Sequence, residues 1–455
     1  MRRILFLLLA LCALCGLSGC LALNSAELLT LPEISPEHRE LLKLFNAVTA
    51  SSDWVTTNPV AGNNKLTTQF VDIYQDGIPE ALAFFKNPTD LKLRLTVYTK
   101  TGKASYGELC SIEIPGEQFH RIDCVDVNGD GSQELVVGVR YATSAMYGLN
   151  VYTLKNGEGV ELLDTSYTDL TVFDLTDDGV ADIVTMNSDE NGINSFAELF
   201  TRAGSGLASA GRAPLSAAVR APSAIVTGRL NDSMCAVVAE GSFLDAAGAT
   251  RYLSDVLIWR DSALTNLSYA EIYHQSFETQ RSVSLRFGDI NFDGAMEFPI
   301  ALTMPQPPTV NVAGGTYVRW FGYTANGEVK AVADTYHASD NRWYVQMPQA
   351  WNDRVYVYVE TGNGYRAGVF ATELNGQQYT LMKLYLFSSE SALKKYEAED
   401  LISLPEFNDV FYAATVTAAA ELPEALVPLA IDAAEVAERL VFVSANGYRR
   451  ASANR

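Results

Sequence analysis

The sequence predicts a mainly β chain: a β-propeller of about five recognisable four-stranded repeats, followed by a small α+β domain. Three observations carry this. An acidic turn running into an apolar strand recurs four times, as VDIYQDGIPEALAFF, VDVNGDGSQELVVGV, FDLTDDGVADIVTM and GDINFDGAMEFPIAL, with first carboxylates Asp72, Asp126, Asp174 and Asp289. A degenerate copy, GRLNDSMCAVVAEG, places Arg229 at the equivalent position, so the repeats step by 54, 48, 55 and 60 residues. A period of about 50 residues made of turns and short β runs fits radially repeated sheets, whereas helical solenoid repeats would show a 3.6-residue period. After about residue 336 the acidic turns stop and longer strands with helical stretches follow, as in an α+β unit.

Composition bounds the remaining choices. The chain has 455 residues, 33 Lys plus Arg against 54 Asp plus Glu, and a formal charge of -21. That length suggests two or three domains. A content of 48% hydrophobic and 10% aromatic residues is too apolar for a disordered chain. The acidic balance repels phosphate backbones and no long Lys/Arg run offsets it, so no nucleic-acid partner is expected.

The N-terminus has the form of a secretory signal: Arg2 and Arg3 precede an apolar run from Ile4, which ends in Leu17-Ser18-Gly19-Cys20. An uncleaved membrane helix is the alternative, because roughly 20 apolar residues can span a bilayer. The LSGC stretch resembles the lipobox of bacterial lipoproteins. That resemblance implies a signal peptide over residues 1–19, cleavage before Cys20 and lipidation of its thiol. It implies a protein held on a cell membrane by its lipid anchor, facing outside the cytoplasm. Loss of the signal leaves 31 basic against 54 acidic residues, a charge of -23. Cys110, Cys124 and Cys235 then remain with the lipidated Cys20. A Cys110–Cys124 bridge stays open in an oxidising compartment, while the apolar flanks of all three favour buried thiols.

Residues 20–50 read as the lipidated cysteine, a tether and a short amphipathic helix. Ser35 can cap it, Pro36 suits its first position, and Leu41, Leu44, Phe45 and Val48 recur on one face. A single apolar face on an acidic segment favours packing onto the next domain over insertion into a membrane.

Residues 51–335 form the expected propeller. In its second repeat four runs rich in Val, Tyr, Leu and Thr, about 119–125, 133–139, 148–154 and 160–165, read as the strands of one blade. Each acidic turn carries oxygen side chains at positions 1, 3 and 5, Gly at position 6 and a carboxylate at position 9. This density of hard ligands suits calcium. The full sets are Asp126, Asn128, Asp130 and Glu134, with Gly131, and Asp289, Asn291, Asp293 and Glu297, with Gly294. Asp174, Thr176, Asp178 and Asp182 form a third set, and Asp72, Asp76 and Glu80, with Tyr74 at position 3, form the least complete one. An EF-hand is disfavoured, because its bidentate Glu belongs at position 12, where this chain has Ala83, Val137, Thr185 and Ile300. The bland alternative is a turn whose carboxylates merely accept backbone N–H bonds and cap a strand pair.

These turns resemble the FG-GAP or VCBS-type repeats of integrin-alpha-like propellers, over roughly residues 67–335 in five units. The resemblance implies structural calcium in DxDxDG loops between the first and second strands of the blades. The family commonly closes with seven blades, so six or seven stay open here. The fourth unit departs from the pattern with Arg229, Asn231, Ser233 and Val237, and is expected to hold no ion. Its guanidinium could supply internally the charge that calcium supplies elsewhere, or the repeat has simply decayed. Residues 202–221, rich in small side chains with three Arg, read as an exposed loop.

In residues 336–455, RWYVQMPQAW, DRVYVYVE, YRAGVFAT and YTLMKLYLFSS read as strands, SESALKKYEAED as a helix, VFYAATV as a strand and 432–443 as a final helix. Trp343, Trp351, Tyr356, Tyr358 and Tyr365 could form a sugar-stacking platform, but alternating aromatics on strands are more often core. No GxSxG, HExxH or P-loop occurs, and His38, His120, His274 and His337 are scattered. The resulting expectation is a calcium-stabilised, lipid-anchored protein that binds an extracellular protein or glycan. A polysaccharide-processing hydrolase or lyase with a spatial carboxylate pair, and a scaffold of an envelope complex, are the alternatives.

Overall fold

The computed structural model describes residues 36–50, 53–103, 105–142, 144–188, 194–304, 315–396, 400–444 and 447–454. The signal, Cys20 and the tether lie outside the described residues. The chain divides into two compact units, one of residues up to 124 with 139–142 and 154–160, the other of 125–138, 143–153 and 161–455. The architecture is mainly β, a succession of antiparallel sheets in which chain neighbours pair. No helix among the described residues is long and apolar enough to cross a membrane.

In the first unit the strands Thr68–Val71, Glu80–Asn87, Lys92–Lys100 and Tyr106–Pro115 pair in chain order, and Val55–Thr56 adds to Glu80–Asn87. The helix Pro36–Ala50 lays the expected apolar face on this sheet. Leu41 and Phe45 are buried with Ala81, Ala83, Phe85 and Tyr98, and the Phe45 ring meets Phe85 at 5.9 Å and Tyr98 at 5.7 Å.

The second sheet consists of Gln118–Val125, Glu134–Arg140, Tyr147–Lys155 and Glu158–Tyr167, close to the four runs read from the sequence. The third holds Asp169–Phe173, Asp182–Ser188, Ser195–Ala203 and Gly206–Leu215, and the fourth Ala224–Asn231, Met234–Leu244, Thr250–Arg260 and Ala263–Asn266. Within the second unit, apolar clusters fill the space between consecutive sheets: Leu175, Val184 and Leu199 meet Cys235, Val237 and Leu257, and Val238, Val256 and Ile258 meet Phe287, Phe298 and Tyr323. Sheets carrying near-continuous apolar runs in their second and third strands are thus covered on both faces.

Residues 206–215 are a strand rather than the expected exposed loop. They pair with Ser195–Ala203 and come close to the outer strand of the fourth sheet, where a side chain on Gly211 would meet the backbone of Leu264 at 3.7 Å. Small residues there permit a close approach of backbones, which composition alone reads as loop.

The fifth sheet contains Phe298–Leu302, Gly315–Tyr323, Val329–Ala338 and Trp343–Met347, extended by Leu440–Ser444 and Gly447–Arg450. The boundary expected at residue 336 therefore falls inside a strand. The sixth sheet runs Tyr356–Gly362, Tyr365–Leu374, Gln377–Phe387, Phe411–Val416 and Ile402–Ser403. Ser389 caps the short helix Glu390–Lys395, and Asp432 with Glu435 forms a capping box on Ala433–Arg439. The final helix ends sooner than expected, because Leu440-Val441-Phe442-Val443 is β-branched and aromatic and pairs with Trp343–Val345. Trp343, Trp351 and Tyr356 belong to the core, while Tyr358 and Tyr365 are half-buried.

Candidate functional site

The acidic turns share one geometry. In the first three sheets each connects the first strand to the second. In the fifth, the first strand is reduced to a bridge between Gly288 and Glu297. The second position is apolar and fully buried in each, as Ile73, Val127, Leu175 and Ile290, and so fixes the turn to the core. Positions 4 and 6 adopt positive φ: Gln75, Gly129, Asp177 and Phe292 at 57°, 75°, 58° and 66°, and Gly77, Gly131, Gly179 and Gly294 at 84° to 89°. The sixth position demands glycine through this backbone conformation rather than through crowding, since a Cβ there would meet nothing within 4 Å.

The carboxylates at positions 1, 5 and 9 face inward onto the turn. The N–H of Gly77, Gly131, Gly179 and Gly294 donates to the position-1 carboxylates Asp72, Asp126, Asp174 and Asp289 at 2.8, 2.9, 2.9 and 2.9 Å. Asp76, Asp130, Asp178 and Asp293 accept from the N–H two residues on, at 2.8 to 2.9 Å. The ninth-position acids Glu80, Glu134, Asp182 and Glu297 reach back to accept from the buried second residue, at 3.1, 3.0, 2.9 and 3.1 Å. At position 3, Asn128 Nδ2 donates to Asp130 Oδ2 at 3.1 Å and Glu134 Oε1 at 2.8 Å, the Thr176 hydroxyl donates to Asp182 at 3.1 Å, and Asn291 Nδ2 donates to Asp293 at 2.8 Å. Tyr74, at position 3 of the first turn, is exposed.

Electrostatics single out the ninth position. Burial pushes the carboxyls of Glu80, Glu134, Asp182 and Glu297 up, and acids of the same turn add to the shift, Asp130 and Asp126 acting on Glu134. Glu297 reaches about 8, with Asp293 and Asp289 contributing after burial. Each turn thus concentrates oxygen acceptors around a nearly buried acid. Such a donor set fits a hard divalent cation such as calcium in its chemistry, with an all-oxygen shell and an excess of negative charge. Among the described residues no group of three His, Cys, Asp or Glu side chains converges as a metal shell, and the carboxylates engage backbone N–H groups.

The degenerate fourth copy closes as a tight hairpin in which Asn231 pairs with Met234. Arg229 forks onto Asp177 of the third turn at 2.9 and 3.0 Å and also donates to the Asp232 carbonyl at 2.7 Å. This partner holds the Asp177 carboxyl below its usual range. Sequence reasoning missed Asp177. Its signal is a carboxylate at position 4, where the other turns carry Gln75, Gly129 and Phe292. It also missed Thr99, whose hydroxyl donates to Glu80 at 3.2 Å. Cys110, Cys124 and Cys235 are free thiols, with Cys110 and Cys235 buried.

The described residues define a succession of antiparallel sheets of four to six strands, with acidic turns in the first, second, third and fifth. No protein-family model matches it, and neither does any curated protein. Among solved structures it is similar to TolB from Acinetobacter baumannii, at 10% identity and a TM-score of 0.23, over 65% of this chain and 63% of that one. It thus spans less than two thirds of the TolB length. An exo-β-1,3-galactanase from Phanerochaete chrysosporium, solved with galactose, is similar at 10% identity and a TM-score of 0.25, over 74% of this chain and 80% of that one. Scores of this size do not establish a common fold.

Proposed function

We propose that the chain is a calcium-stabilised β-propeller, held on a cell membrane by a lipid on Cys20 and facing outside the cytoplasm, that binds an extracellular glycan or protein. The observation that carries this reading is the fourfold recurrence of one turn geometry around a buried ninth-position acid. Asp126, Asn128, Asp130 and Glu134, and Asp289, Asn291, Asp293 and Glu297, hold the best ions. Asp174, Thr176, Asp178 and Asp182 hold a third, and Asp72, Asp76 and Glu80 the weakest. The ion neutralises each turn and clamps the first two strands of its blade. Meanders that stack face to face, with apolar clusters between them, support the propeller arrangement. An exposed apolar tip, with Ile272 82% exposed beside the stacked rings of Tyr273 and Phe277, supports contact with a macromolecular partner.

The test is thermal unfolding of the full-length chain in detergent after treatment with EDTA, with calcium or magnesium titrated back at fixed ionic strength. Ions that bind only the folded state stabilise it by about 2.7 kcal/mol at 100 times their dissociation constant. A midpoint that rises with calcium and not with magnesium is expected. A midpoint indifferent to both would reduce the turns to strand caps and remove the ion from the reading.

A further inference from the structure

A cavity of about 340 Å³ in the second unit adjoins the fifth acidic turn at Asn291, and its walls combine amides and paired charges with the apolar side chains of Ala331, Val332, Ala333 and Met347. Asn291, Asp334, Gln346, Gln349, Asn352 and Arg439 line it. Its frame is rigid. Asp334 stands on a central strand of the fifth sheet in register with Met347, and the Arg319 guanidinium grips it through two bonds of 2.8 Å while the Tyr317 hydroxyl donates to it. Gln349 opens and Asn352 follows the single turn Gln349–Trp351, which is pinned by the fully buried Trp351 donating to the Leu429 carbonyl at 2.7 Å. Arg439 ends the helix Ala433–Arg439 and pairs with Glu435 at 3.1 Å.

Polar atoms on this frame are withdrawn from solvent without a partner among the described residues. Asn352 Oδ1, an acceptor, and Arg439 Nε, a donor, are both of this kind. Gln346 donates through Nε2 to the Ile290 carbonyl at 2.5 Å, which commits its nitrogen and leaves its oxygen for other use. A lining that presents acceptors and donors side by side, with its carboxylate and guanidinium each already neutralised, matches a neutral ligand carrying many hydroxyls. An anion would meet a strongly acidic molecule, and an apolar ligand would strand these groups unpaired. The volume falls in the range of small-molecule sites.

We infer that this cavity is a binding site for a neutral saccharide unit, with Asn352, Gln349 and Arg439 as its recognising side chains. The inference rests on the reading that the chain binds a glycan, and names where and through which residues it does so.

Saturation-transfer NMR tests it, with glucose, galactose, N-acetylglucosamine and their β-linked disaccharides as probes and the full-length chain in a sugar-free detergent. The wild type is expected to transfer to at least one probe. Gln349→Ala, at an exposed position, and Asn352→Leu are each expected to weaken that probe's affinity about tenfold, as the loss of one or two hydrogen bonds does. Unchanged near-ultraviolet circular dichroism in both variants establishes that they fold. A probe that binds the wild type and both folded variants equally would overturn the site and leave glycan binding standing. Absence of transfer to every probe, together with absence of pelleting on insoluble β-glucan, chitin and galactan, would overturn both.

Discussion

His337 is a buried base that finds no hydrogen-bond partner among the described residues. Its ring is 1% exposed, lies stacked on Tyr344 at 4.9 Å beside Trp320, and has neither nitrogen within reach of a partner. Burial alone pushes its pKa down from 6.5 to about 3. Between those two values the unfolded chain binds a proton that the folded chain refuses, so the contribution of this residue to stability rises with pH from about 3 to about 6.5 and is level above. His337→Phe keeps the stacking and removes two unsatisfied polar atoms. The variant is expected to be at least as stable at pH 7.5 and to lose less stability on going to pH 5, which urea midpoints at the two values would show. A larger loss than in wild type would mean that the imidazole has a partner in solution. At this scale the sequence was most informative where chemistry is local. The acids of each turn lie within nine residues and arrive together in the fold. The contacts that reasoning could not reach are those between residues far apart, such as Arg229 with Asp177 and the amides that meet around Asn352.

Elements were legible to the degree that their own pattern agrees with their tertiary role. The helix Pro36–Ala50 announces itself through Pro36 and an apolar stripe, and that stripe packs where the pattern points. Phe45→Ala removes the ring wedged against Phe85 and Tyr98 and is expected to cost about 3 kcal/mol. If the helix is held on the sheet only by this face, the variant also becomes sensitive to trypsin at Arg39 and Lys43 while the strands of the first sheet stay resistant. Equal resistance in variant and wild type would show that other contacts dock it. Two elements hid because pattern and role conflict. Gly206–Leu215 is written in Ala, Ser and Gly so that another strand can approach, and it looks like a loop. Leu440–Ser444 directly continues a helix with no glycine or proline between, and only its partner strand 97 residues earlier, beginning at Trp343, decides that it is β.

That late strand bears on the whole molecule. Most sheets are built from consecutive strands, so their pairing costs little loop entropy, whereas Leu440–Ser444 joins the fifth sheet after the entire sixth sheet has been made. Val441 and Phe442 are fully buried, and the Phe442 ring stacks on Phe407 at 4.7 Å and meets Tyr412 at 5.0 Å, inside a cluster that also holds Trp343, Phe370 and Leu384. One side chain thus ties the fifth and sixth sheets. Phe442→Ala is expected to lower stability by about 3–5 kcal/mol. Hydrogen exchange decides how far the loss travels. If the two sheets open as one cooperative unit, amides of Val329–Ala338 and of Gln377–Phe387 lose protection together and by the same free energy. If protection falls only in Leu440–Ser444 and Gly447–Arg450, the chain end frays by itself and the fifth sheet stands on its own four consecutive strands, as the earlier sheets do. The joint loss is the expected result, because the buried surface that Phe442 covers belongs to both sheets and cannot be exposed in one without opening the other.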